Sequence, residues 1–277
     1  MTTSLVALVT LTAGLIPAGI RAPVDPSTSF ITVELCVQGE CDTDTSPIAG
    51  FLEVALRCLN APSDISLHDF DLLATETLDF HLDYGFLGDI FATGTGLGIY
   101  HADPGPHNAF VPVVAGQYTF VGVPYLKRGV VQYDAQGLIC GIIQGLGLPC
   151  QATINLADDP PSTADSMTGS ITVAGGNMHL SFTLEFSEPL DPNNPSLGTI
   201  SGTAVVNGSA PLPDLGDFDL DADVDLADFS AFQLCFGGSA NPPAPTCPPG
   251  MDADLDCDGD IDLADFTLFQ LNFTGSR

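Results

Sequence analysis

The chain has 277 residues and a mass of 28.7 kDa, a length that suits one large domain with a small module beside it. Its 35 Asp and Glu against 5 Lys and Arg give a formal net charge of −30, which repels phosphate backbones and anionic membrane surfaces and so excludes nucleic-acid binders. With 29 Gly, 22 Pro, no Trp and a mean hydropathy of +0.28, the composition fits a β-rich chain with many turns rather than a charged helical one.

The apolar run from Leu5 to Ile16 has the length of a signal-peptide core and is too short to cross a bilayer as a helix. It predicts an export leader over residues 1–22, although no Lys or Arg precedes it; the alternative is a buried first strand. No membrane span is expected once the leader is removed. Eight Cys agree with a secreted, extracytoplasmic or cell-surface protein, because thiols at this density behind a leader tend to pair. Cys36, Cys41, Cys58, Cys140 and Cys150 fall in the large part, and Cys235, Cys247 and Cys257 in the acidic tail. The connectivity stays open at this stage. Cys140 with Cys150 and Cys235 with Cys247 are the pairs easiest to close.

Residues 27–209 read as an antiparallel β domain. In the run from Leu78 to Tyr84, Leu78, Phe80, Leu82 and Tyr84 face one way and Asp79, His81 and Asp83 the other, the pattern of a half-buried strand. Met178, Leu180, Phe182, Leu184 and Phe186 form a second inward row. Further strands are predicted at Phe30–Val37, Phe51–Leu59, Ile90–Tyr100, Gln117–Val123, Val130–Tyr133, Ser170–Val173 and Gly198–Val206. Turn-forming Pro, Gly, Asn and Asp at 103–108, 158–161 and 191–195 punctuate them. Strands at this spacing predict a β-sandwich or a closed antiparallel barrel, and the pattern does not choose between the two.

Catalytic signatures are absent from the sequence: it has no G-x-S-x-G elbow, H-E-x-x-H helix or phosphate-binding loop. The glycines of Gly94-Thr-Gly-Leu-Gly98 alternate with no helix after them, which reads as a relieved strand or bulge. His68, Asp69, Asp71, His81, His101 and His107 are of ligand type but lack zinc-site spacing. The β domain is therefore read as non-catalytic. A secreted hydrolase acting on polysaccharide and a barrel carrying an apolar small molecule are kept as alternatives.

Residues 210–216 read as a linker, and the tail from 217 to 277 is different in kind. From residue 214 onward there are 14 Asp, no Glu and one Arg. The tail repeats itself with a period of 37 residues. Each copy places Asp at positions 1, 3, 5, 7, 9 and 12 of a twelve-residue loop: Asp217, Asp219, Asp221, Asp223, Asp225 and Asp228, then Asp254, Asp256, Asp258, Asp260, Asp262 and Asp265. Carboxylates at 1, 3, 5, 9 and 12 are the layout that wraps oxygen ligands around Ca²⁺, and the hard donors disfavour Zn²⁺ or Cu²⁺. Position 7 ordinarily offers its carbonyl, so Asp223 and Asp260 would add field more than ligands. Position 8 is Val224 or Ile261, which predicts two loops pairing through a short β-contact. Phe229, Phe232 and Phe236, matched by Phe266, Phe269 and Phe273, lie on one face of a short helix after each loop. Two Ca²⁺ are expected. Packed Phe faces and filled loops would make one cooperative unit whose stability is largely metal-binding free energy.

These loops and helices resemble a type I dockerin, the duplicated module that docks onto cohesin domains. The resemblance covers about 60 residues and implies a protein partner, with a cohesin-like receptor as its model. It implies Asp217, Asp219, Asp221, Asp225 and Asp228 as ligands of the first ion, and Asp254, Asp256, Asp258, Asp262 and Asp265 as ligands of the second. Three features depart from the family pattern. Ala222 stands where the sharp turn takes Gly, as Gly259 does in the second loop. Leu226-Ala227 and Leu263-Ala264 stand where hydroxyl residues often meet the partner. The Pro-rich connector 237–250 replaces a helix. The layout of leader, β domain and Asp-rich tail also resembles exported proteins of environmental bacteria, planctomycetes especially.

Overall fold

The structure is a computed structural model that describes residues 19–105, 109–190, 194, 196–248 and 251–276. The leader up to residue 18 and His107 lie outside the described residues. Two compact units emerge, Gly19–Leu212 and Pro213–Arg277.

The larger unit is one twelve-stranded sheet with every pairing antiparallel. Its strands are β1 (Ile20–Pro23), β2 (Phe30–Val37), β3 (Glu40–Arg57), β4 (Asp64–Ala74), β5 (Leu78–Asp83), β6 (Gly88–His101), β7 (Val111–Pro112), β8 (Gln117–Gly137), β9 (Gln151–Asn155), β10 (Ser162–Ala174), β11 (Asn177–Pro189) and β12 (Gly198–Pro211). The order β3, β2, β12, β11, β10, β8, β6, β4 returns to β3 through the β3–β4 pairing, so the sheet closes on itself. A ring without free ends is a barrel, which decides against two separate stacked sheets. Strands β1, β5, β7 and β9 add to β3, β6, β4 and β8.

Closure requires long strands to change partners. Residues 40–47 of β3 pair with β2, and residues 48–57 pair with β4. Beside the first half of β3, β5 takes side-chain acceptors in place of backbone ones: the N–H groups of Asp79 and His81 donate to Asp44 Oδ2 and Asp42 Oδ2, both at 2.7 Å. Inward side chains fill the barrel in two clusters, one around Leu52, Phe70, Met167, Met178 and Phe182, the other around Leu78, Phe80, Leu82 and Ile90. Helix α1 (Leu138–Gly145) packs Ile139 and Ile143 into the second cluster.

The alternation read from sequence holds along β5 and β11, where Leu78, Phe80 and Leu82, and Met178, Leu180, Phe182 and Leu184, are buried. The Gly94–Gly98 stretch is a strand irregularity, with the register to β8 shifting between Thr95 and Gly98. Cys36–Cys41 closes the β2–β3 hairpin, Cys140–Cys150 ties α1 to the start of β9, and Cys235–Cys247 lies in the small unit; no cysteine is free. Among the described residues no helix is long and apolar enough to cross a membrane.

Two strands bear on the expected boundaries. Residues 20–23 form β1, in register with Phe51–Val54, and Ala22 is fully buried in the first cluster. The linker does not begin at Ala210: Ala210 and Pro211 pair with Met178 and Asn177, and Ala210 is buried, so the strand runs on to Pro211.

The smaller unit carries two ten-residue helices, α2 (Leu226–Cys235) and α3 (Leu263–Asn272). Phe229 and Phe232 of α2 lie 5.7–6.0 Å from Phe266 and Phe269 of α3, ring centre to ring centre. Phe236 and Phe273 sit just past the helices and remain partly exposed.

Candidate metal centres

The two acidic loops follow a similar backbone course. Positions 4 and 6 adopt left-handed backbone in both: Leu220 and Ala222 at φ 58° and 73°, Cys257 and Gly259 at 63° and 98°. Such turns let the loop fold back so that its first carboxylate accepts an N–H from position 6, Ala222 to Asp217 Oδ2 at 3.2 Å and Gly259 to Asp254 Oδ2 at 2.9 Å.

Each loop ends in a capping box that starts its helix. Asp225 Oδ1 and Asp262 Oδ1 accept the N–H of Ala227 and Ala264, both at 2.7 Å. Asp228 Oδ2 and Asp265 Oδ2 accept back from Asp225 and Asp262 at 2.9 and 2.7 Å. The other oxygen of each reaches the loop's opening: Asp228 Oδ1 accepts from Phe218, and Asp265 Oδ1 from Leu255 and Asp256. Position 12 thus pins the loop's beginning to its end, and Asp228 and Asp265 are almost wholly buried in doing so.

In the first loop, one oxygen each from Asp217, Asp219 and Asp228 lies within 4.8 Å of the others; in the second, the same holds for Asp254, Asp256 and Asp258. Oxygens gathered this closely can face one ion that takes oxygens at about 2.3–2.6 Å. Asp223, Asp225 and Asp228 gather in the same way, as do Asp260, Asp262 and Asp265. Asp221 does not join the first group; its Oδ1 accepts the N–H of Asp223 at 3.2 Å.

The donor set passes a test of fit. Oδ1 of Asp217 and Oδ1 of Asp219 are buried and have no hydrogen-bond partner, a costly arrangement for an acceptor unless a cation faces it. Burial, with Asp228 and Asp219 close by, lifts the Asp217 carboxyl to about 6. Burial followed by Asp228 and Asp221 raises Asp219, and burial followed by Asp265 and Asp258 raises Asp256. Asp225 goes the other way, held low by the Ser276 hydroxyl and the Ala227 N–H. Oxygen-only donors crowded by like charge suit a hard divalent cation.

One expected contact is replaced. Val224 and Ile261 are buried as position 8 requires, but they do not pair with each other. The carbonyl of Val224 accepts from Thr274 and Gly275, and that of Ile261 from Gly237 and Gly238. The helices' Phe faces meet, and each loop lies beside the end of the other copy's helix instead of beside the other loop. Spacing within the repeat carried no sign of Thr274, Gly275, Gly237 or Gly238.

The histidines form no comparable group among the described residues. His68 and His101 are buried in the barrel, and exposed His81 pairs with Asp89 at 2.8 Å and stacks on Phe91. No protein-family model matches this chain, and no curated protein does either.

Proposed function

We propose that this is an exported calcium-binding protein in which residues 213–277 form a dockerin-like docking module carried by a non-catalytic β-barrel. The observation that carries the reading is the pair of orphaned, buried oxygens on Asp217 and Asp219, within a loop whose backbone course the second copy repeats. The loops would hold one Ca²⁺ each through Asp217, Asp219, Asp221, Asp225 and Asp228, and through Asp254, Asp256, Asp258, Asp262 and Asp265. The ion's role is to neutralise each carboxylate cluster. The chain's own part is to close the loop through Asp228 or Asp265 and to start the helix through Asp225 or Asp262.

A protein partner is supported by apolar side chains exposed at matching places in the two copies. Leu226 and Leu263 are 69% and 68% exposed, and Leu234 and Leu271 repeat the theme at 41% and 77%. Leucines at the first helical position favour an apolar counterface over the hydroxyl-reading surface of a typical cohesin. Disulfides support an oxidising compartment outside the cytoplasm. The barrel's interior is occupied by its own side chains, which supports a scaffold role over carriage of an apolar molecule.

Calorimetric titration of the chelator-treated full chain tests the reading. Two calcium ions should bind, with the helical signal in circular dichroism rising as they do. No heat of binding and an unchanged spectrum would overturn it.

A further inference from the structure

Each acidic loop is held at its eighth residue by the segment that trails the other copy's helix. Val224 donates its N–H to Thr274 Oγ1 at 2.9 Å, and its carbonyl accepts from Thr274 and Gly275 at 2.9 and 3.1 Å. One residue on, the hydroxyl of Ser276 donates to Asp225 Oδ2. The second loop has the counterpart: the carbonyl of Ile261 accepts from Gly237 and Gly238 at 3.1 and 3.0 Å, and Ala240 N–H donates to Asp260 Oδ2. The strap on the first loop follows directly after α3, and the strap on the second directly after α2.

We propose that the two loops are mutually strapped, so that the order of each, and with it the affinity of each for its ion, depends on the other copy's helix. The argument follows the chain. Ordering the second loop fixes Asp262 and Asp265 as the cap of α3, and α3 delivers Thr274–Ser276 to the first loop. Ordering the first loop fixes Asp225 and Asp228 as the cap of α2, and α2 delivers Gly237–Ala240 to the second. Val224 and Ile261 are almost wholly buried, so their backbone groups have no water to replace a lost strap. Coupling of this kind is reciprocal: whatever the second site gains from the first, the first gains from the second. The coupling of affinities rests on the calcium reading above, whereas the strapping itself does not.

The test compares the full chain with one ending at Phe273 and with Thr274→Val, which removes the hydroxyl that accepts the Val224 N–H and keeps the backbone donors of Thr274 and Gly275. Two readouts are needed: calcium titration, and backbone hydrogen exchange with calcium and with chelator. Losing the strap should weaken the first site about tenfold, the effect of one or two such bonds, and should flatten a cooperative titration into independent binding. Exchange at Val224–Asp228 should quicken in the shortened chain and, to a smaller degree, in Thr274→Val, while strands β10 and β11 stay protected. Unchanged affinity together with unchanged exchange would overturn the proposal. If the full chain takes up no calcium, the metal reading fails alone: faster exchange at Val224 in the shortened chain would still uphold the strap, and unchanged exchange would refute it.

Discussion

Ala222 and Gly259 occupy the same place in the two acidic loops and share left-handed backbone, at φ 73° and 98°. Leu220 and Cys257 carry similar strain two residues earlier in both loops, so the difference between the loops lies at position 6. A side chain in left-handed backbone costs about 1 kcal/mol relative to glycine. Ala222→Gly should therefore tighten the first site roughly fivefold, with a smaller gain passed to the second through the straps. Gly259→Ala should weaken the second by a similar factor. Site-resolved calcium titration checks both, and equal affinities in the native chain would remove the basis of the argument.

The Asp217 carboxyl, lifted to about 6 from its ordinary 3.8 by burial, contributes a pH dependence to the module. A raised carboxylate pKa means that the folded, ion-free loop binds a proton more tightly than the unfolded chain does. Without calcium, this contribution to stability is fully present below 3.8 and is lost as pH rises through about 6. Calcium reverses the sense, because the ion needs the carboxylate deprotonated. With chelator the module should melt higher at pH 5 than at pH 7, and with saturating calcium it should melt higher at pH 7. Asp217→Asn should flatten the first dependence and weaken calcium binding. Parallel pH profiles in the two conditions would count against the assignment.

Phe232 is 2% exposed, with its ring 5.9 Å from Phe266 and 5.7 Å from Phe269. Emptying such a site costs about 3–5 kcal/mol, and a module built on two ten-residue helices has little stability to spare. Phe232→Ala should therefore leave the module unfolded even with calcium. Phe273→Ala, at a residue 44% exposed, should lower its melting temperature only slightly. Helical ellipticity of the full chain at saturating calcium distinguishes the two, and a native-like Phe232→Ala would show that the Phe contacts do not hold the module.

How far these features can be read from sequence depends on whether the signal is local. The alternation in β5 and β11 and the Asp spacing of both loops are local, and each is present in the fold. Strand β4 escaped because its alternation breaks. Ile65 and Leu67 are buried, then Phe70 and Leu72, and the parity changes at His68, where the register to β3 shifts opposite Glu53 and Val54. Ile20–Pro23 escaped because a four-residue strand, Ile-Arg-Ala-Pro, with only Ile20 and Ala22 turned inward, is too short to show a period. The Cys36–Cys41 pair needs the β2–β3 register, and the partners of Val224 lie fifty residues away. Choosing a barrel over a sandwich turns on one pairing, β3 with β4, which no local pattern encodes.

That pairing depends on Gly50. At φ 140°, where side chains are strained, a Cβ would sit 1.8 Å from the carbonyl oxygen of Asp71 on β4. The obstacle is backbone, so no rotamer change relieves it. Gly50→Ala must push β3 and β4 apart close to the place where β3 changes partner from β2 to β4. The expected loss is on the order of 3 kcal/mol or more, combining strain with broken ladder bonds. Gly39 supplies the control: it is also left-handed, at φ 95°, but nothing lies within 4 Å of its added Cβ. Gly39→Ala should cost only about 1 kcal/mol. Urea unfolding of the barrel transition compares them directly, and equal shifts in midpoint would show that closure of the sheet does not rest on the β3–β4 junction at Gly50.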